Sequence, residues 1–377
     1  MENDKDKKKK SGRGFLGKLI VFVLAVMAFL GLIAMVLSVL CSYINPSQFA
    51  WLSYFGLAFW VILLYNLVVF VLLLLMWSRK VWIAVLALLA AVPGVYKSFS
   101  TGKPQEGGEL RVMSYNVCKF VDPDDKDKST LEVAANVAKI VKENNPDVLC
   151  VQEFAAYIPQ TKMAACITKF AEITGLPYRS YNTKSNFCHN VIFSKYPLAA
   201  LDEDIPFAKQ NAYGTVARVN AGEKGTFYVL CCHLVSFLLT NEELTVFSEP
   251  NSNKEQVEEY GKSIISKLKT AYEKRSLQVN MMLENVPYDG RPIIMCGDFN
   301  DTPMSYTYYQ IKRAGFIDGF VKAGRGIGYT YAGRLPLLRI DYVWGNEQIQ
   351  PMSFKRLKVK GSDHYPVMMD FNVKHGL

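Results

Sequence analysis

Hydrophobic positions along this chain follow two different regimes. Residues 19–41 form 23 consecutive positions without a charge, long enough at about 1.5 Å per residue to cross a hydrocarbon core of about 30 Å. A second uncharged stretch spans 49–77, and a third of 16 residues spans 81–96 and contains Pro93 and Gly94. The first is longer than the apolar region of a cleavable signal and another follows it, so it reads as a retained transmembrane helix. The third reads as a span with a thinned end or a segment lying partly in the interface. About three transmembrane helices are therefore expected within residues 19–96, followed by a Ser-, Gly- and Pro-bearing linker at 97–108.

Past the linker the pattern changes to short apolar runs, at 110–117, 146–154, 189–197, 215–220, 227–235, 291–300, 340–344 and 365–373, which read as strands. Residues 129–144, 163–174, 254–284 and 304–313 have helical patterning. In the first of these, Thr130 is placed to cap, and Leu131, Ala134, Val137 and Val141 trace one face. Strands alternating with helices, without an internal repeat, predict an α/β or α+β sandwich rather than a bundle.

The formal net charge of +9 changes this picture less than it promises. Residues 1–100 hold 10 Lys/Arg against 3 Asp/Glu, leaving 33 against 31 in the remainder; basicity thus gives little support to nucleic-acid binding. Basic residues crowd the segment before the first apolar stretch, and Arg79 and Lys80 separate the second from the third. The positive-inside rule puts the N-terminus (1–18) and the 79–80 turn in the cytoplasm. Three crossings then leave the C-terminal domain (109–377) outside, whereas two would leave it inside. The apolar stretches hold no acid or histidine, Asn66 being their one strongly polar interior residue, which favours an anchor over a transporter. The eight cysteines form no CxxC pair. Cys150, Cys231, Cys232 and Cys296 lie in strand-like runs and read as small core residues, and one disulfide, Cys166 with Cys188, stays open.

Polar residues interrupt or end several of the apolar runs: Asn116, Glu153, His233, Asp298, Asn300 and the Asp363–His364 pair. Each alone has a bland explanation as a turn residue, helix cap or core histidine. Together they sit where ligand sites collect in α/β sheets. The residue types also suit phosphoester hydrolysis. Carboxylate and amide oxygens such as those of Glu153 bind a hard divalent ion; Asp298 and Asn300, two residues apart, suit the orientation and deprotonation of water; His233 and His364 suit charge on phosphoryl oxygens.

SYNV (114–117), PDVLCVQEF (146–154), VIFSKYP (191–197), CHL (232–234), GDFND (297–301), RIDYVW (339–344) and GSDHYPV (361–367) resemble, in order, the motifs of the endonuclease/exonuclease/phosphatase family with its deoxyribonuclease-I-like fold. The resemblance implies a four-layer sandwich of two packed mixed β-sheets flanked by helices. It further implies Glu153 as main ligand of Mg²⁺ (Mn²⁺ as substitute), helped by Asn116, with Asp363 near the same or a second ion. Asp298 is implied to activate water and Asn300 to hold the water or a phosphate oxygen. His364, oriented by Asp341, and His233 are implied to face the phosphate, with Asn116, Asn300 and His233 binding substrate. His189 departs from the glycine many members carry there. The family's substrates include nucleic acids and lipid or sugar phosphates, decided by loops such as the insert at 236–285, whose Phe237, Leu238 and Leu239 favour a covering role over a lipid-facing one. A catalytically inactive, membrane-tethered binding module of the same fold is the rival. Asn300-Asp301-Thr302 is a glycosylation sequon that would block the site in a eukaryotic lumen, so a bacterial inner membrane with a periplasmic domain is expected.

Overall fold

The computed structural model describes residues 14–125, 127–154, 160–181, 189–201, 214–246, 253–286, 289–333 and 337–374. Its N-terminal region comprises α1 (Phe15–Leu40), α2 (Pro46–Phe49), α3 (Leu52–Leu57), α4 (Phe59–Leu75) and α5 (Val81–Ser98). By length and composition α1 and α5 could each cross a membrane, and α4 is a shorter apolar helix. The 49–77 stretch is thus broken, with Ala58 leaving helical geometry at φ −81°, ψ 7°. Pro93 lies inside α5 without ending it. Asn66 has a structural use: its Nδ2 donates to the Gly31 carbonyl at 3.1 Å and the Ile62 carbonyl at 2.9 Å, tying α4 to α1. The linker expected at 97–108 begins in structure, because Phe99–Thr101 forms β1 and pairs antiparallel with β11 (Arg325–Ile327).

The remaining strands make two six-stranded sheets. One runs β13 (Ile349–Arg356), β14 (Val367–Val373), β2 (Leu110–Asn116), β3 (Val148–Phe154), β5 (His189–Ser194), β4 (Tyr178–Tyr181). The other runs β10 (Ile317–Asp318), β12 (Asp341–Gly345), β9 (Ile293–Asp298), β8 (Thr226–His233), β7 (Gly214–Asn220), β6 (Leu198–Ala200). Each contains one parallel pair, β2 with β3 and β8 with β9; the other pairings are antiparallel.

Period-2 alternation explains the layering. Val112, Val148 and Cys150 turn inward to meet Val229, Cys231, Ile294 and Cys296 of the opposite sheet. Their neighbours Met113, Leu149 and Val151 turn outward beneath α6 (Thr130–Asn144) and α7 (Gln160–Thr174). On the far side Leu230, Cys232 and Met295 pack beneath α9 (Lys254–Glu284) and α10 (Tyr306–Arg313). The result is the expected four-layer sandwich, each fully buried aliphatic side chain contributing about 1.5–3 kcal/mol. Cys150, Cys231, Cys232 and Cys296 are core residues as expected. Cys166 is a free thiol and Cys188 lies outside the described residues. The cap expected at Thr130 falls instead on Ser129, which forms a capping box with Glu132, because Glu132 is three residues from Ser129 and reaches back to its backbone N–H.

Candidate active site

Strand register assembles the site. His233, Asp298 and Asp341 lie side by side across β8, β9 and β12. In the other sheet Asn116 pairs with Gln152, so Glu153 projects one residue past it at the end of β3. The two sheet edges meet directly, with Asn116 Nδ2 donating to Asp298 Oδ2 at 3.0 Å and to Glu153 Oε1 at 3.3 Å.

Backbone conformation at these strand ends is unusual. Glu153 has φ +55° and Asn300 φ +51°, the left-handed region that non-glycine residues adopt at a cost, commonly at functional sites. Glu153 falls within a register irregularity between Val151 and Phe154, a bulge that re-aims its side chain. Gly297 is required beside them: at φ +145° its position has no room for a Cβ, which would strike the Cys232 carbonyl oxygen.

Asp298 is the centre of the hydrogen bonds. Its Oδ1 accepts from the Asn300 backbone N–H at 2.8 Å and its Oδ2 from Asn300 Nδ2 at 3.1 Å. The Nε2 atoms of His233 and His364 both lie 3.7 Å from Oδ2. Burial pushes the Asp298 carboxyl up to about 6, against the pull of the His364 and His233 imidazoles. Asp341 receives His364 Nδ1 at 2.9 Å. Burial opposes a charge on that ring, but the Asp341 and Asp298 carboxylates outweigh it and raise the His364 pKa well above its ordinary value. His364 is further held by its backbone N–H on Ser362 Oγ at 3.1 Å and by an edge contact with Tyr331, ring centres 5.4 Å apart.

Seven of the eight sequence-predicted residues therefore converge: Asn116, Glu153, His233, Asp298, Asn300, Asp341 and His364. Asp363 makes no hydrogen bond or ion pair with these seven among the described residues; it lies near the Cys118 thiol, and its charge helps to raise the His364 pKa. Sequence reading missed three supporting residues. Ser362 Oγ donates to the Asn116 carbonyl at 2.7 Å. Thr330 Oγ1 accepts from the backbone N–H of Asp341 at 3.0 Å, and Tyr331 bridges to His364. Ser362 had a signal, lying within the GSDH run; Thr330 and Tyr331 lie in irregular chain with no periodicity to mark them.

The donor set fits a hard divalent cation. Glu153 offers a carboxylate that is 19% exposed, the oxygen chemistry such ions prefer, while Asn116 turns its Nδ2 to that carboxylate and its Oδ1 to the Cys118 N–H. Nearby, His233 Nε2 is buried with no hydrogen-bond partner, 3.6 Å from Glu153 Oε1, as expected of a donor whose partner belongs to a ligand. Asp298, Asp341 and His364 also bring ligating atoms within 4.8 Å of one another, but the His364–Asp341 hydrogen bond already accounts for that approach.

Amides, carboxylates and histidines thus meet where the strand ends of two packed sheets come together. A family model described as Endonuclease/Exonuclease/phosphatase family matches residues 113–364, and the chain belongs to that family. A second model, of a domain of unknown function, matches residues 18–98. No curated protein matches the chain. Among solved structures, an endonuclease/exonuclease/phosphatase from Beutenbergia cavernae is 20% identical, covering 70% of this chain and 71% of that one at a TM-score of 0.47. A family protein from Bacteroides thetaiotaomicron is 15% identical, covering 71% and 98% at 0.47. The mannosyl-6-phosphatase of the same organism is 17% identical, covering 70% and 99% at 0.43.

Proposed function

We propose that this chain is a membrane-anchored, metal-dependent phosphoesterase that hydrolyses a phosphodiester or phosphomonoester of a nucleic acid or of a lipid or sugar phosphate. Its parts are a basic cytoplasmic N-terminus (1–18), a membrane region (19–96), a linker (97–108) and a catalytic domain (109–377). The observation that carries the reading is Asp298: a buried carboxylate held by two asparagines and faced by two histidine Nε2 atoms at 3.7 Å.

Glu153 would be the main ligand of Mg²⁺, or of Mn²⁺ in its place, and Asn116 and Asp363 would join it by exchanging their present neighbour Cys118 for the ion. When bound, the ion neutralises phosphoryl oxygens and lowers the pKa of water. Asp298 Oδ2 takes the proton from the attacking water, while the Asn300 N–H on Oδ1 fixes its orientation. Asn300 would hold the water or a phosphate oxygen and Asn116 would contact the substrate beside it, each by sharing the Nδ2 that donates to Asp298 Oδ2. His364, protonated and anchored through Nδ1 to Asp341, presents Nε2–H to the charge that spreads over the phosphoryl group. His233 Nε2, buried and unpartnered, is the second such donor. Phe237 meets Tyr272 edge-on, ring centres 5.3 Å apart, which supports a covering role at that residue, whereas Leu238 is 72% exposed.

The test is a screen of the full chain against DNA, RNA, phospholipid, sphingomyelin and sugar phosphates, with Mg²⁺, Mn²⁺ or chelator. Hydrolysis that is lost in chelator and in Asp298→Asn is expected. Binding without turnover under every condition would instead identify an inactive binding module. Location has its own test: in a bacterial host a reporter fused after Gly108 should behave as periplasmic and one fused at Arg79 as cytoplasmic. If both report cytoplasm, 81–96 does not span.

A further inference from the structure

Residues 299–305 connect Asp298 to α10, and this short segment is gripped from two sides. On one side Arg275 of α9, 1% exposed, donates from Nη1 to the Asn300 carbonyl. Its guanidinium lies 4.3 Å from the Phe237 ring centre and 4.5 Å from that of Tyr272. On the other side is the N-terminal helical region. Met304 is buried in a cluster with Met35 of α1, Phe59 of α4, and Ala87 and Ala91 of α5. Its carbonyl accepts from Cys41 Sγ at 3.0 Å, and the preceding Pro303 carbonyl accepts from Lys97 Nζ at 3.4 Å. Two glycines form the seat. A Cβ on Gly56 would collide with the Met304 carbonyl oxygen, and one on Gly94 would come within 2.9 Å of the Met304 sulfur.

A tether would need no such fit. We propose that the helical region is a working part of the active site, with Met304 as the positioning residue through which it holds the Asp298–Asn300 turn. The inference rests on the roles assigned above to Asp298 and Asn300. Asn300 sits at φ +51°, a conformation that persists only where its surroundings over-determine it. Arg275 fixes the carbonyl of that residue, and the helices fix the chain four residues further on. Release of the second grip lets the turn drift from the geometry in which Asp298 and the Asn300 amide act together, and a displacement of about 1 Å can cost about 10²-fold in rate.

The experiment measures kcat and KM for hydrolysis of bis(p-nitrophenyl) phosphate with Mg²⁺ by the full chain in detergent micelles, for the wild type, Met304→Leu, Met304→Ala, Leu73→Ala and Asp298→Asn. Leu73 is buried among Leu24, Ala28, Val69 and Ala84, so Leu73→Ala opens a cavity in the helices without touching the Met304 seat. Met304→Ala should lower kcat by at least about tenfold, with KM within about twofold, since positioning acts on the transition state. Met304→Leu should restore kcat to near the wild-type value, and Leu73→Ala should leave it unchanged. If Met304→Ala is not recovered folded, Gly94→Ala, which presses on the same sulfur, carries the same expectation. Wild-type kcat in Met304→Ala, or an equal loss in Leu73→Ala, overturns the inference. Asp298→Asn separates the two levels: an inactive Asp298→Asn beside a fully active Met304→Ala sinks the positioning role alone, whereas an active Asp298→Asn overturns both readings.

Discussion

In one sheet the parallel pair β2–β3 ends on Asn116 and Glu153; in the other the parallel pair β8–β9 ends on His233 and Asp298, with Asp341 next in register. The two arrangements share a topological device, since parallel neighbours deliver their carboxyl ends to the same edge. They differ in depth. The Glu153 side chain keeps 19% of its surface exposed, whereas Asp298 and Asp341 keep 1% and 3%. A carboxylate within reach of water can bind a hydrated hard cation. Buried carboxylates gain most from charge-bearing neighbours, and here those are the imidazoles. One edge therefore suits metal binding and the other proton handling.

The largest effect should come from the buried edge. Asp298→Asn removes the candidate base while preserving shape, and turnover should fall about 10²–10⁴-fold with the thermal midpoint little changed. Near wild-type turnover would show that the buried edge is not the proton-handling one. His364→Ala should follow. Because His364 and Asp341 act as one unit, adding Asp341→Asn to His364→Ala should cost little more, and independent, additive losses in kcat would refute the pairing. Asp341→Asn alone gives a separate readout. With that carboxylate gone, burial weighs more heavily against the imidazolium, so the His364 ring should lose its proton at a lower pH than in the wild type, measurable by proton NMR. At the shallower edge, Glu153→Gln should weaken Mg²⁺ by at least about tenfold, the lower end of what losing even a supporting partner costs. Calorimetric titration reads this directly, and unchanged affinity would move the cation elsewhere.

The catalytic edge was legible because polar residues broke an apolar alternation. Asn116, Glu153, His233 and Asp298 each lie at or near the end of a run whose period marked a strand, so topology brings them to the facing edges of the two sheets. Other features left no such mark. Arg275 sits in a helix rich in Lys and Glu and reads as solvated, yet it is 1% exposed because Phe237 and Tyr272 cover it. Met304 opens a helical pattern in the sequence, but α10 begins at Tyr306 with Ser305 as its cap, and the methionine belongs to the packing of the N-terminal helices. Its role depends on contacts more than 200 residues apart in sequence, which no local pattern encodes. Near the break of 49–77 at Ala58, Gly56 lies where a Cβ would strike the Met304 carbonyl oxygen, a contact that likewise leaves no local mark. In the sequence Arg356, Lys358 and Lys360 alternate as one solvated strand face would, but β13 ends at Arg356, whose guanidinium lies 3.9 Å from the Tyr329 ring centre.

The smallest effect concerns the exit of β8, beyond Leu234, whose carbonyl accepts from Asn300 Nδ2 at 3.0 Å. Glu243, in the short helix α8 (Asn241–Thr245), accepts from Ser263 Oγ at 2.6 Å, from Lys267 Nζ at 2.8 Å and from the Thr240 N–H at 2.8 Å. Lys267, with help from Ser263 and Thr240, draws its carboxyl down from 4.5 to about 2. A depressed folded-state pKa contributes stability that is complete above the unfolded value and is lost as pH falls through the folded one. Glu243→Gln should therefore loosen residues 234–246 relative to wild type at pH 6, by on the order of 1 kcal/mol once solvent screening at Lys267 is allowed for. That difference should shrink as pH drops from about 4.5 towards 2. Hydrogen exchange compared at matched pH follows it, because global acid unfolding affects both proteins while the gap between them isolates Glu243. Since the residue holds the exit and not the edge, kcat should fall far less than in Asp298→Asn; a gap that stays constant down to pH 2 would remove Glu243 as the tie.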